Sequence, residues 1–162
     1  MTRVIAACLA LLLAAPVPLA AAAEETTRIG FVNTAITNLG LTRSHRVVVE
    51  RFSDPEVAGV SCYISQARTG GLTGMVGLAE DPGRFSLVCV ATGAVNVAAG
   101  AERGERGELV YESDTSLFFK ETRVHRFIDE TANTVVYLAW STRLIDGSPY
   151  NAVAVVPFAP AR

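Results

Sequence analysis

Two alternating stretches constrain this chain more than any other feature: Val60-Ser61-Cys62-Tyr63-Ile64-Ser65 and Phe85-Ser86-Leu87-Val88-Cys89-Val90. In each, the cysteine falls in phase with apolar residues: Val60 and Ile64 flank Cys62, and Phe85 and Leu87 precede Cys89. Side chains two apart on a strand share a face, so both runs read as strands with a cysteine turned toward the core. A disulfide between Cys62 and Cys89 fits both strands. A redox pair normally has two residues between its cysteines, and a structural zinc site needs two more ligands. Only His45 and His125 could supply those, and nothing in their spacing pairs them.

The third cysteine, Cys8, lies in a segment with a different character. Met1-Thr2-Arg3 carries one positive charge, Val4 to Leu13 is unbroken apolar sequence, and Pro16 and Pro18 follow. Ala21-Ala22-Ala23 then precedes the polar Glu24-Glu25. This is the layout of a cleavable secretory leader, 1–23, cut before Glu24. A membrane anchor needs about 20 apolar residues, and the prolines interrupt the run well short of that. Cys8 sits before the end of the apolar stretch, where lipid attachment would leave little for export to recognise. Residues 24–162 then form a single domain of ordinary size. The exported reading also favours the disulfide, since two cysteines in an oxidising compartment pair by default.

Charge narrows the partners. The whole chain carries −2, with scattered charges and a single lysine, Lys120. Nucleic-acid binding and docking to anionic membranes both want clustered basic residues, so neither fits. The reading implies no cofactor, no metal site and no membrane anchor in the mature form.

Most of the remaining chain alternates between short apolar runs and turn residues. Strands are expected at Ile29–Val32, Val47–Phe52, Leu109–Tyr111, Leu117–Phe119, Arg123–Ile128, Val135–Trp140 and Ala152–Phe158, besides the two that carry cysteines. Ser53-Asp54-Pro55, Asp129 to Asn133 and Asp146-Gly147-Ser148-Pro149 mark turns. The pattern predicts a mainly β domain, an antiparallel sandwich or curled sheet stapled by one disulfide. One or two short helices complete it, one over Thr34 to Leu41. Ala91 to Gly107 is small, charged and glycine-spotted, and reads mostly as a mobile loop. Tyr137, Trp140 and Phe158 read as core aromatics.

The candidate site lies inside the loop closed by the cysteines, along Arg68-Thr69-Gly70-Gly71-Leu72-Thr73-Gly74-Met75-Val76-Gly77-Leu78-Ala79-Glu80-Asp81. Gly71, Gly74 and Gly77 recur every three residues, which would line them along one side of a helix and let backbone or ligand approach closely. On one reading these residues wall a ligand pocket: the backbone amides along Thr69, Gly70, Gly71, Gly74 and Gly77 bind an oxyanion, with Arg68 or Arg84 near and Glu80 or Asp81 as polar partners. On the other, the glycine face packs flat on a sheet. The pattern matches neither a dinucleotide fingerprint nor a phosphate loop ending in Gly-Lys. No nucleophile elbow or zinc helix is present. His125, on the strand face opposite Val124, is a switchable base that could partner Glu80 or Asp81.

Several segments together resemble the CreA family of bacterial periplasmic proteins. They are Val47 to Val57, Val60 to Ser65, Thr69-Gly70-Gly71 through Glu80-Asp81, Ser116-Leu117-Phe118-Phe119-Lys120, Tyr137 to Ser141, and Gly147 to Ala152. The resemblance implies a Gram-negative periplasmic location and a paired Cys62 and Cys89, and it carries no assigned reaction. The expectation is a non-enzymatic domain binding an unknown small molecule, or a periplasmic or envelope protein, through residues 69–81. The alternative is a hydrolase or isomerase using Glu80 or Asp81 with His125.

Overall fold

The computed structural model describes residues 26–35, 45–69, 84–114, 121–145 and 147–159. Strands account for all regular structure among these residues. The first sheet contains β1 (Thr27–Ala35), β2 (His45–Phe52), β3 (Val57–Thr69) and β4 (Phe85–Val97). The second contains β5 (Glu108–Asp114), β6 (Glu121–Asp129), β7 (Thr134–Ile145) and β8 (Ser148–Pro157). Each is a four-stranded antiparallel meander in sequence order. The expected strands within the described residues all form, and the run Leu117–Phe119 lies outside them. The short helix expected over Thr34 to Leu41 is corrected at its start: Thr34 and Ala35 close β1, and residues 36–41 lie outside the described set.

Inward faces follow the period-two pattern. Phe52, Val57, Val60, Cys62, Ile64, Phe85, Leu87 and Cys89 from the first sheet meet Val110, Tyr111, Val124, Val135, Tyr137, Ala139 and Val156 from the second. Phe52 stacks on Tyr111 with ring centroids 4.5 Å apart, which sets β2 across from β5. Phe85 meets Tyr150 edge to face at 5.2 Å, which sets β4 beside β8. Removing this apolar surface from water is the main force holding the sheets together.

Cys62 and Cys89 are direct register partners across β3 and β4, and they form the disulfide. It joins neighbouring strands of one sheet and closes a loop spanning 27 positions. On the chain-entropy account such a loop contributes about 3.5 kcal/mol.

Ala91 to Gly107 differs from its expectation. Residues 91–97 extend β4, which bulges where Val60 pairs with Ala91 and Ala58 with Asn96. Gly59 sits at that bulge with φ +79°, and a Cβ there would lie 2.2 Å from the Ala94 carbonyl oxygen, so only glycine fits. Beyond β4, Arg103 gathers the connection by donating to the carbonyls of Ala98, Ala99 and Ala101 and to Glu130. Ala101 is buried as a result. The small residues that look mobile in sequence are held by one arginine from later in the same tract.

The meander order gives the molecule two distinct ends. The connections β2–β3, β4–β5 and β6–β7 lie at one, here the turn end. The connections β1–β2, β3–β4, β5–β6 and β7–β8 leave from the other, the loop end. Arg126 reaching Asp54 and Arg68 reaching Ser113 place corresponding ends of the two sheets together.

Candidate functional site

Charged side chains enter the space between the sheets at both ends. At the turn end Arg126 is fully buried, because strand parity puts it in line with Val124 on the inward face of β6. Its Nη1 donates to Asp54 Oδ1 at 2.5 Å and its Nη2 to Glu56 Oε2 at 2.7 Å. Nη2 also donates to Glu108 Oε2. Tyr137 donates its hydroxyl to Asp54 Oδ2 at 3.1 Å. Asp54 is positioned by its own turn: its Oδ1 accepts from the Glu56 amide at 2.9 Å, and its carbonyl accepts from the Val57 amide, with Pro55 between them.

The titrations at this end follow from crowding. Hydrogen bonding to Arg126, then to Glu108, holds the Glu56 carboxyl below its ordinary value. Burial, then the contact with Glu56, pushes Glu108 up. Burial, then Asp54, pushes the Tyr137 hydroxyl far up, so it stays a neutral donor. Burial opposes charge on Arg126, but Asp54, Glu56 and Glu108 outweigh it and raise its value. A guanidinium enclosed by three carboxylates is a structural clasp. A half-open cavity of about 420 Å³ adjoins this end, lined by Val95, Val97, Ile128 and Phe158 with Arg103 and Glu130 on its rim. Arg103 is committed to its own loop, so it offers the cavity little.

The loop end is assembled differently. Parity from Ile64 turns Gln66 and Arg68 inward on β3, and parity from Val48 turns Arg46 and Glu50 inward on β2. Arg68 Nη2 donates to Glu50 Oε2 at 3.3 Å and to Ser113 Oγ at 3.1 Å. Tyr111 donates to the same Glu50 oxygen at 3.4 Å. Ser113 donates to Gln66 Oε1 at 3.4 Å. Gln66 is 6% exposed, yet its Nε2 has no hydrogen-bond partner, and neither has the buried Arg46 Nε. Buried donors without acceptors are rare in native structures; Arg126 Nε is another at the turn end, and the two on the inward face of the loop end call for an explanation.

Of the residues expected at the site, Arg68 stands on this inward face, with Thr69 the last residue of β3. Gly70, Gly71, Gly74, Gly77, Glu80 and Asp81 lie outside the described residues. The chain leaves β3 after Thr69 and is described again from Arg84, directly before β4.

His125 lies elsewhere. It occupies the outward face of the second sheet, where Trp140 Nε1 donates to its Nδ1 at 3.0 Å and the rings stack. Burial, then Arg123, lowers its pKa. Trp140 is therefore an outward residue, with Arg123 over its ring, and not the core aromatic its sequence suggests. Tyr137 is buried in the core as expected, and Phe158 packs partly against it.

Sequence reading passed over Arg46, Glu50, Gln66 and Ser113 at the loop end, and Asp54, Glu56, Glu108 and Arg126 at the turn end. A signal was available for several of them. Glu50 alternates with Val48 and Phe52, Gln66 with Ile64, and Arg126 with Val124, so each polar residue falls on an apolar phase.

Comparison with known proteins gives one family. A family model described as CreA protein matches residues 29–161. Protein CreA of Escherichia coli strain K12 is 42% identical over 146 residues, covering 90% of this chain and 89% of its own length. Protein CreA of Escherichia coli O157:H7 matches to the same extent. No solved structure matches the chain.

Proposed function

The chain belongs to the CreA family, and from that premise we propose that it is an exported, non-enzymatic binding domain whose site is the loop end of the sandwich. Arg68 and the segment 69–81 are its proposed binding residues. The observation that carries this is the deeply buried Gln66 amide, whose Nε2 is left without an acceptor beside Arg68. A group that deep without a partner destabilises the free protein, and a ligand that supplies an acceptor removes the penalty. The hydrolase or isomerase alternative is less favoured, because His125 is turned outward and bonded to Trp140 while Arg68 is turned between the sheets.

The test is thermal unfolding of the oxidised protein against fractions of periplasmic small-molecule extract, with the double variant E80A/D81A in parallel. A ligand that binds only the native state raises the midpoint in proportion to its saturation. A rise in the wild type that a folded variant lacks supports this reading; no rise with any fraction removes it. Export is part of the same proposal. N-terminal sequencing of protein recovered from the periplasm should begin at Glu24, and retention of Met1 would sink that part.

A second reading has its own observation. The edge strand β1 leaves Phe31 54% and Val32 68% exposed, on opposite faces, and no described strand pairs with its outer edge. Such a strand can accept a partner strand by backbone pairing. Site-specific crosslinking from Val32 should then recover a defined partner, and a smear of unrelated products would count against it.

A further inference from the structure

The loop end carries a charge imbalance that the described residues do not correct. In the pairing of β2 with β3, Arg46 stands directly opposite Arg68, both on the inward face. Like charges placed opposite each other on neighbouring strands repel. Arg28 stands opposite Glu50 on the same face, exposed on β1. Glu50 is the one carboxylate that the described residues bring to this cluster, and Arg68 and Tyr111 already share a single oxygen of it. Arg46 lies with its guanidinium carbon 5.8 Å from the centre of the Phe31 ring, and its Nε is buried and unpaired. Each unmatched atom here, Arg46 Nε and Gln66 Nε2, is a donor.

A cluster short of acceptors and long in positive charge selects its ligand. We propose that the loop end binds an oxyanion, a carboxylate or phosphate group, held by Arg46 and Gln66 with Arg68 beside them. Glu50 and Ser113 fix the orientation of Arg68 in advance, so little side-chain freedom is lost when the anion arrives. The anion would screen Arg46 from Arg68 and accept from both orphan donors at once, and charge-assisted bonds of this kind are the stronger class. This inference rests on the binding reading above and names the ligand chemistry for the same site.

The experiment uses the oxidised protein with sodium phosphate and sodium acetate as probes, against sodium chloride at equal ionic strength. NMR follows the Arg46 Nε–H and the Gln66 side-chain amide, and thermal unfolding follows the wild type, R46Q and Q66M. Saturable shifts at both groups are expected, with a midpoint rise of several degrees beyond chloride that falls by more than half in each variant. A response to phosphate alone assigns a phosphate group, and one to acetate alone a carboxylate. Unmoved Arg46 and Gln66 signals in both salts would overturn the proposal. So would a midpoint rise that persists in R46Q and Q66M, since that is general salt stabilisation. An extract fraction that stabilises the protein while both signals stay unmoved by the two salts would keep the binding domain and remove the oxyanion. Silence in both experiments would remove both.

Discussion

Arg126 and Arg46 are both arginines on the inward face of a strand, yet their surroundings are opposites. Arg126 is enclosed by Asp54, Glu56 and Glu108, with Tyr137 supporting Asp54 from the second side. Arg46 faces another arginine, and although the Nε of both Arg46 and Arg126 is unpaired, only Arg126 is bonded by carboxylates through its other nitrogens. The turn end gathers three carboxylates around Arg126; the loop end brings one carboxylate to two facing arginines among the described residues. A buried ion pair is not strong evidence of stability, but breaking one by removing a partner is costly. An unmatched donor cluster is itself costly and is retained where something else supplies the acceptor. The contrast separates an end arranged to hold the sheets together from one whose inward donors the described residues leave unmatched.

The largest test of that contrast is R126M. It strands Asp54 as an unpaired buried charge and should lower unfolding free energy by about 3–5 kcal/mol in urea denaturation. R46M should stay within about 0.5 kcal/mol of wild type, or gain, because it relieves repulsion. Equal losses from the two would erase the distinction. Next is Y137F, which removes one donor from Asp54 and should cost about 1–2 kcal/mol by the same assay. Q66M should act in the opposite direction, adding about 1 kcal/mol by eliminating a buried orphan donor. A loss of that size would mean that Gln66 is satisfied in solution.

The smallest effect is expected from E108Q and concerns pH. Glu108 has its folded-state pKa raised, so the native state holds that proton more tightly than the unfolded chain does. Its favourable contribution is present at acid pH and is lost as pH rises through the raised value. E108Q imitates the protonated form and should therefore be slightly more stable than wild type at pH 7, with the advantage vanishing near pH 4. Glu56 runs the other way: its pKa is lowered, so its contribution is present above the ordinary glutamate range and lost as pH falls. Unfolding midpoints across pH 4–8 would show whether the two carboxylates behave as this asymmetry requires.

Much of the fold was legible because alternation is a local signal. Val47 to Phe52, Phe85 to Val90 and Val135 to Trp140 each state their strand character within a few residues. The disulfide was legible for the same reason, since both cysteines share phase with apolar neighbours. Ala91 to Gly107 was misread because small residues with weak strand preference were held by β4 pairing and by Arg103, neither of which is local. Trp140 was misread because aromatic character does not reveal which face of a strand a residue occupies. At the candidate site, Arg68 was picked out but its companions were not. Glu50 lies 18 positions away from it and Ser113 45 positions away, in different strands.

The sequence by itself determined most of the strands, the inward phases of β3 and β4 and the cysteine pairing, because period-two patterning acts through near neighbours. The tertiary structure alone decided which buried charges are matched. Two strand registers and the stacking of one sheet on the other bring Asp54 to Arg126 across 72 positions. The β2–β3 register also sets Arg46 against Arg68, while Glu50 pairs with Arg68. Electrostatic satisfaction depends on distances of a few ångströms between remote parts of the chain, and only the packed fold fixes those distances.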